Sequence, residues 1–133
     1  MAIFSKSKKI KSLISEKNFL LKINNKIKKK IQTLKKYIKN KKINDIAIYG
    51  CGGASMTLFY HLINNNINVD TFYDNDKKKF NLVVPNTNKK IVNGFCFKKN
   101  NHDLIITTSN KIKKEFKKSK NFKNIISLEW NLI

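Results

Sequence analysis

Arginine is absent from this chain, and it has one proline, four glycines and two cysteines. Each scarcity excludes something. Without arginine there is no bidentate fork to read guanine edges, so specific nucleic-acid binding is not expected. Cys51 and Cys96 lie far apart and lack metal-ligand spacing. That argues against a thiolate metal site or a disulfide scaffold, and leaves free thiols in a reducing, cytoplasmic setting as the expectation. No histidine or acid is spaced as a metal site either, and no catalytic residue is assigned. Long apolar runs are missing too; none approaches the roughly 20 residues that cross a bilayer. Met1 to Ile14 has neither a continuous apolar stretch nor a small-residue cleavage site, so no secretory leader is expected.

Acidic residues are also few: eight Asp and Glu stand against 29 basic residues, all lysine, for a formal net charge of +21. Taken alone, that excess points to a polyanion or an anionic membrane surface. The abundant Lys, Asn, Ile, Phe and Tyr are, however, the residues of A- and T-rich codons, and the scarce Gly, Ala and Pro need G and C. Codon composition accounts for the charge without selection for binding, and lysine supplies only salt-sensitive, nonspecific attraction.

What is present is an alternation of periods. Residues 1 to 9 are polar and basic and read as loosely ordered. From about Ile10 to Asn40 the pattern is helical: Leu13, Leu20, Ile27 and Leu34 recur every seventh residue, with Ile10, Ile31 and Ile38 in complementary positions. Asn24-Asn25 reads as a break between two helices. Ile46-Ala47-Ile48-Tyr49 is a short buried strand that feeds a glycine turn. Ser55 to Ile63 reads as a helix with Leu58, Leu62 and Ile63 inward, and Val69 to Asp74 as a second strand. Leu82-Val83-Val84, Lys90-Ile91-Val92 and Phe95-Cys96-Phe97 read as short extended pieces. Asp103 to Thr108 is a strand, Asn110 to Ser119 a helix with Ile112 and Phe116 on its apolar face, and Asn124 to Leu128 a last strand. Strands alternating with helices imply parallel pairing. The expected fold is α/β, a Rossmann-like three-layer domain with a mostly parallel sheet. A basic helical region (1–42) would precede a nucleotide-binding domain (43–133).

The chemistry concentrates at Tyr49-Gly50-Cys51-Gly52-Gly53-Ala54-Ser55. After a strand, glycines let the backbone turn sharply and approach a phosphate with no Cβ in the way. The next helix then offers unpaired N–H groups and the positive end of its dipole. Gly50 and Gly52 fill the first two positions of G-x-G-x-x-G, and Ser55 stands at the third, where its hydroxyl could donate to a phosphate. Asp74, ending the second strand, is placed to accept a ribose hydroxyl. Gly50, Cys51, Gly52, Gly53, Ser55 and Asp74 are the candidate cofactor-binding residues. The plain alternative is a tight βα turn in a domain with no ligand. Cys51 sits at a helix N-terminus, where a thiol pKa can fall, but reads better as a small turn residue. His61 reads as packed or on the surface, and His102 as a solvated loop histidine.

The stretch from about Lys22 to Ser109 resembles the C-terminal domain of the sugar C-methyltransferases, S-adenosylmethionine-dependent enzymes acting on nucleotide-linked deoxysugars. The resemblance lies in the charged helix Ile27 to Lys41, the strand and turn Ile46 to Gly50, and the helix start Thr57-Leu58. It continues through Phe72-Tyr73-Asp74-Asn75-Asp76-Lys77 and Pro85-Asn86-Thr87-Asn88 to Ile91-Val92. Asn86 and Asn88 replace the family's glycine and histidine, and Thr108-Ser109 stands in place of its proline–tryptophan pair. The family's zinc-binding and methyl-transfer parts have no counterpart here. The resemblance therefore implies a nucleotide-sugar-binding module of modified-sugar or surface-polysaccharide synthesis, serving a separate catalytic partner. A similar glycine turn and Asp-Asn-Asp-like strand end mark the nucleotide-sugar-binding domains of sugar acetyltransferases and dehydratases.

Three function classes follow. The first is a binding module for a nucleoside-diphosphate sugar, with NAD(P) as the other ligand class, docking to a catalytic partner or a second copy through the N-terminal helix. The second is a small NAD-dependent sugar-modifying enzyme; it lacks the third glycine and a helical Tyr-x-x-x-Lys pair. The third is a polyanion- or membrane-surface-binding protein that uses the lysine-rich helix.

Overall fold

In the computed structural model Ile46, Ala47, Ile48 and Tyr49 are all buried, because the strand they form lies mid-sheet with both faces covered. The structure describes residues 2–99, 102–117 and 124–128. In chain order these form α1 (Ala2–Asn40), β1 (Ile46–Tyr49), α2 (Gly53–Asn64), β2 (Thr71–Asp74), β3 (Val92–Asn93), β4 (Leu104–Thr107), α3 (Asn110–Lys117) and β5 (Ile125–Ser127). Single 3-10 stretches occupy Lys77–Lys79 and Gly94–Lys99.

The five strands make one sheet in the order β3-β2-β1-β4-β5, with every neighbouring pair parallel. Ile48 lies between Phe72 and Ile106 in the two flanking registers. The chain winds from β1 through β2 to β3 in one direction, then crosses back to β4 and β5. The order therefore reverses between β1 and β4, and in a doubly wound α/β fold that crevice, at the carboxyl ends of the strands, is where ligands bind.

Alternate residues of each strand serve opposite faces. Ile46, Ile48, Phe72, Leu104 and Ile106 pack with Leu58, Phe59 and Leu62 of α2 and with Ile27, Ile31 and Leu34 of α1. Ala47, Tyr49, Tyr73 and Ile105 form a smaller cluster on the other face, with Ile112 of α3 against it. Phe59 and Phe72 meet edge to face at 4.7 Å between centroids. Each large aliphatic side chain buried in this way stabilises the fold by about 1.5–3 kcal/mol. Among the described residues no helix is long and apolar enough to cross a membrane.

Several elements differ from the reading of the sequence. Met1 lies outside the described residues, but the supposedly loose start belongs to α1, which begins at Ala2. The first 40 residues contain no glycine or proline to stop a helix. Asn24-Asn25 does not break it either. Both are exposed, and the packing of Ile27 and Ile31 three and seven residues on outweighs their modest propensity cost. α1 ends where Lys42 turns left-handed (φ 54°) and the Ile43 N–H donates to the Ile38 carbonyl at 3.0 Å, a Schellman stop. In α2, Leu58 and Leu62 point inward as expected, but Ile63 is 39% exposed and Phe59 is buried in its stead. Leu82-Val83-Val84 and Lys90-Ile91, read as extended pieces, meet at an antiparallel bridge, Val83 to Lys90, and Val92 opens β3. Phe95-Cys96-Phe97 is 3-10 helical, because Asn93 Oδ1 accepts the Phe95 N–H and starts a turn. The Phe116 side chain and residues 118–119, expected in the last helix, lie outside the described residues.

Candidate functional site

The glycine turn sits at the carboxyl end of β1, on the crevice where the strand order reverses. Gly50 continues the β1–β2 pairing by donating its N–H to the Tyr73 carbonyl at 2.8 Å, then turns the chain with φ +92°. An L side chain rarely adopts that conformation. Gly52 is the N-cap of α2 and has no side chain to bond the helix start. The first helical bond runs from the Met56 N–H to the Gly52 carbonyl at 3.0 Å. Ahead of it, the N–H groups of Gly53, Ala54 and Ser55 have no partner within the helix. A Cβ built at Gly52 or Gly53 would meet nothing within 4 Å, and both residues are exposed.

Asp74 buttresses this turn from β2. Its Oδ2 accepts the Cys51 N–H at 2.7 Å and lies 3.5 Å from Lys79 Nζ; its Oδ1 accepts the Asp76 N–H at 2.8 Å. Burial pushes the carboxyl pKa up, but the two backbone N–H groups and the Lys79 cation outweigh it and hold the group below its ordinary value. The charged form is thus built into the turn. A ligand hydroxyl approaching Asp74 would meet a carboxylate already engaged with three protein donors.

The other two candidate side chains also have protein partners. Cys51 Sγ contacts the Tyr73 carbonyl at 3.4 Å. Burial, reinforced by the Asp74 charge and opposed by Lys79, pushes its thiol up to about 12. That is opposite to the fall that a helix N-terminus could produce, so Cys51 is not an activated nucleophile. Ser55 is buried, with its Oγ 3.3 Å from Thr108 Oγ1. This pair ties the start of α2 to the end of β4 across the crevice. Thr108 and Ser109 form the opposite lip, where Ser109 Oγ accepts the Ile112 N–H of α3 at 3.4 Å.

Two further arrangements were not legible in the chain. The Tyr49 hydroxyl donates to Asn75 Oδ1, and Gly94 is packed so closely on both that a Cβ there would collide with them. The ends of β1, β2 and β3 are joined in this way. His102 is buried, not solvated. Its Nε2 lies 2.6 Å from the Tyr73 hydroxyl and its Nδ1 3.1 Å from Asp45 Oδ1. Asp45 and His102 precede β1 and β4, whereas Tyr73 stands near the carboxyl end of β2, so this network ties the amino ends of β1 and β4 to β2. A sequence signal for it would have required knowing that β1, β2 and β4 are neighbours.

An open cleft of about 470 Å³ lies between α1 and the β5 edge, lined by Lys29, Leu34, Tyr37, Lys113, Ile126 and Leu128 among others. None of the turn residues lines it. The turn has the converging backbone donors and the buried charge, and it is the stronger candidate on chemistry.

No family model matches the chain, and no curated protein matches it. A solved structure described as RSP in complex with beta-NADH superposes with a TM-score of 0.48 at 12% identity. The overlap covers 65% of this chain and 48% of that one, so this chain spans about half the length of the protein it matches.

Proposed function

We propose that the chain binds a nucleotide-containing ligand by its diphosphate at the Gly50–Ser55 turn. The observation that carries this reading is the contrast among the glycines. Gly50 is required by its own backbone conformation, whereas Gly52 and Gly53 occupy open space in which a side chain would meet nothing. Glycine suits the N-cap at Gly52 on its own account, but no packing contact calls for it at Gly53, and a bare backbone at both lets a phosphate approach the N–H groups of Gly53 and Ala54. Thr108 lies on the far lip, and Lys79, beside Asp74, supplies a cation at the rim. Asp74 acts in this reading through the Cys51 N–H, by fixing the turn's shape, and Cys51 and Ser55 contribute backbone and packing.

The ligand is proposed to be a nucleoside-diphosphate sugar, presented to a separate catalytic partner in modified-sugar or surface-polysaccharide synthesis. Support for the sugar comes from the resemblance of Lys22 to Ser109 to the C-terminal domain of sugar C-methyltransferases. The test is thermal denaturation at near-physiological salt with nucleoside-diphosphate sugars, NAD(H), inorganic diphosphate and heparin, on the wild type and on Gly52→Val. A ligand at about 100 times its dissociation constant stabilises the fold by about 2.7 kcal/mol. Wild type shifts with a nucleotide sugar, whereas Gly52→Val, whose unliganded midpoint is lowered by loss of the N-cap glycine, shows no shift from that midpoint. A response to heparin alone would overturn the reading.

A further inference from the structure

The first half of α1 carries an apolar face that the fold leaves uncovered. Ile10, Leu13, Ile14, Leu20 and Leu21 are 51–58% exposed. At about 100° per residue these five fall within an arc of about 120°. The residues of α1 that pack toward the sheet, Ile23, Ile27, Ile31, Leu34 and Ile38, centre roughly 80° away around the helix. Leu13 and Leu20 continue the line of Ile27 and Leu34, whereas Ile10, Ile14 and Leu21 widen the exposed surface about 100–140° to one side of the centre of the packed stripe.

The charges around it select the occupant. Lys8, Lys11 and Lys22 lie on the opposite side together with Phe19, which is 52% exposed; Lys9 flanks the arc, Lys17 falls at its centre, where its long stem has to bend back to bring the ammonium to the headgroups, and Glu16 is the lone acid from residue 8 to 22. A second copy would set lysine against lysine. The arc is also shorter than two heptads, below the three to four that sustain a coiled coil. A bilayer surface needs only an apolar arc, cations near the headgroup plane and a helix that does not span, and α1 provides each.

We propose that residues 8–22 of α1 dock the protein on anionic lipid surfaces, lying in the headgroup plane with Ile10, Leu13, Ile14, Leu20 and Leu21 inserted. This is independent of the ligand at the glycine turn. The test is flotation of the full chain with vesicles of phosphatidylcholine alone or mixed with phosphatidylserine. The variants are Leu13→Gln/Leu20→Gln, which keeps the charge, and Gly52→Val. Wild type and Gly52→Val co-float with the phosphatidylserine vesicles and stay behind with phosphatidylcholine alone. In Leu13→Gln/Leu20→Gln the vesicle-bound to free ratio falls by about tenfold or more. Both leucines are exposed, so that variant keeps the wild-type circular dichroism and thermal midpoint. Three results would overturn the proposal: no flotation of wild type with anionic vesicles, undiminished flotation of the leucine variant, or a wild-type dimer by light scattering that the leucine variant abolishes.

Discussion

Gly50 and Asp74 hold the candidate site in shape by different means, one through backbone freedom and the other through charge. Gly50→Ala places a Cβ at φ +92°, and its expected cost is about 1–2 kcal/mol of unfolding free energy, read in urea. For Asp74 the folded pKa lies below the ordinary carboxylate value, so its contribution is complete above the unfolded pKa of about 3.9 and is lost as pH falls through the lower folded value. Asp74→Asn removes the charge and turns an amide N–H₂ toward one of two backbone donors. The expected cost is about 1–3 kcal/mol at neutral pH, with a shallower loss of stability between about pH 4 and the acid limit than in wild type. Thermal midpoints across that pH range check both statements. The turn itself is legible in the sequence because strand, glycines and helix follow one another along the chain. The engagement of Asp74 by Cys51 is not, since it depends on two strands 23 residues apart lying side by side. Burial of His102 is hidden for the same reason, its partners Tyr73 and Asp45 being 29 and 57 residues away.

At the scale of elements, α1 contains two different helices in one rod. Its second half is core: Leu34 is 3% exposed, and Leu34→Ala is expected to destabilise by about 2–5 kcal/mol. In the first half Leu13 is 58% exposed, and Leu13→Ala is expected to stay within about 0.5 kcal/mol of wild type. Urea titrations of the pair measure the contrast directly. The heptad repeat Leu13, Leu20, Ile27, Leu34 runs through both halves without a mark of this division. Periodicity shows that a helix exists; it does not show where its partner ends. The strands were more readable, because an apolar run bounded by turn residues has few other uses. Gly94–Lys99 was misread because alternating aromatics look extended, whereas one Asn93 side chain starts a 3-10 turn.

Over the whole molecule, 29 lysines against eight acids leave the folded state under self-repulsion. Raising sodium chloride from about 0.01 M to 0.15 M shortens the screening length from about 30 Å to about 8 Å. The thermal midpoint is expected to rise over that range and then level off. A midpoint indifferent to salt would mean that the charges lie too far apart to matter. The strand order carries a separate consequence, one of timing. β1 is the middle strand, and its second neighbour, β4, follows 58 positions later, as the Ile46–Leu104 register gives. At a synthesis rate of about 5–20 residues per second, about 3–12 s separate β1 from β4, and one edge of β1 stays open throughout. For those seconds a strand that is buried along its whole length in the finished fold presents an open ladder to whatever is near the ribosome. Escape from aggregation on the nascent chain then depends on how quickly α2 and β2 cover its face.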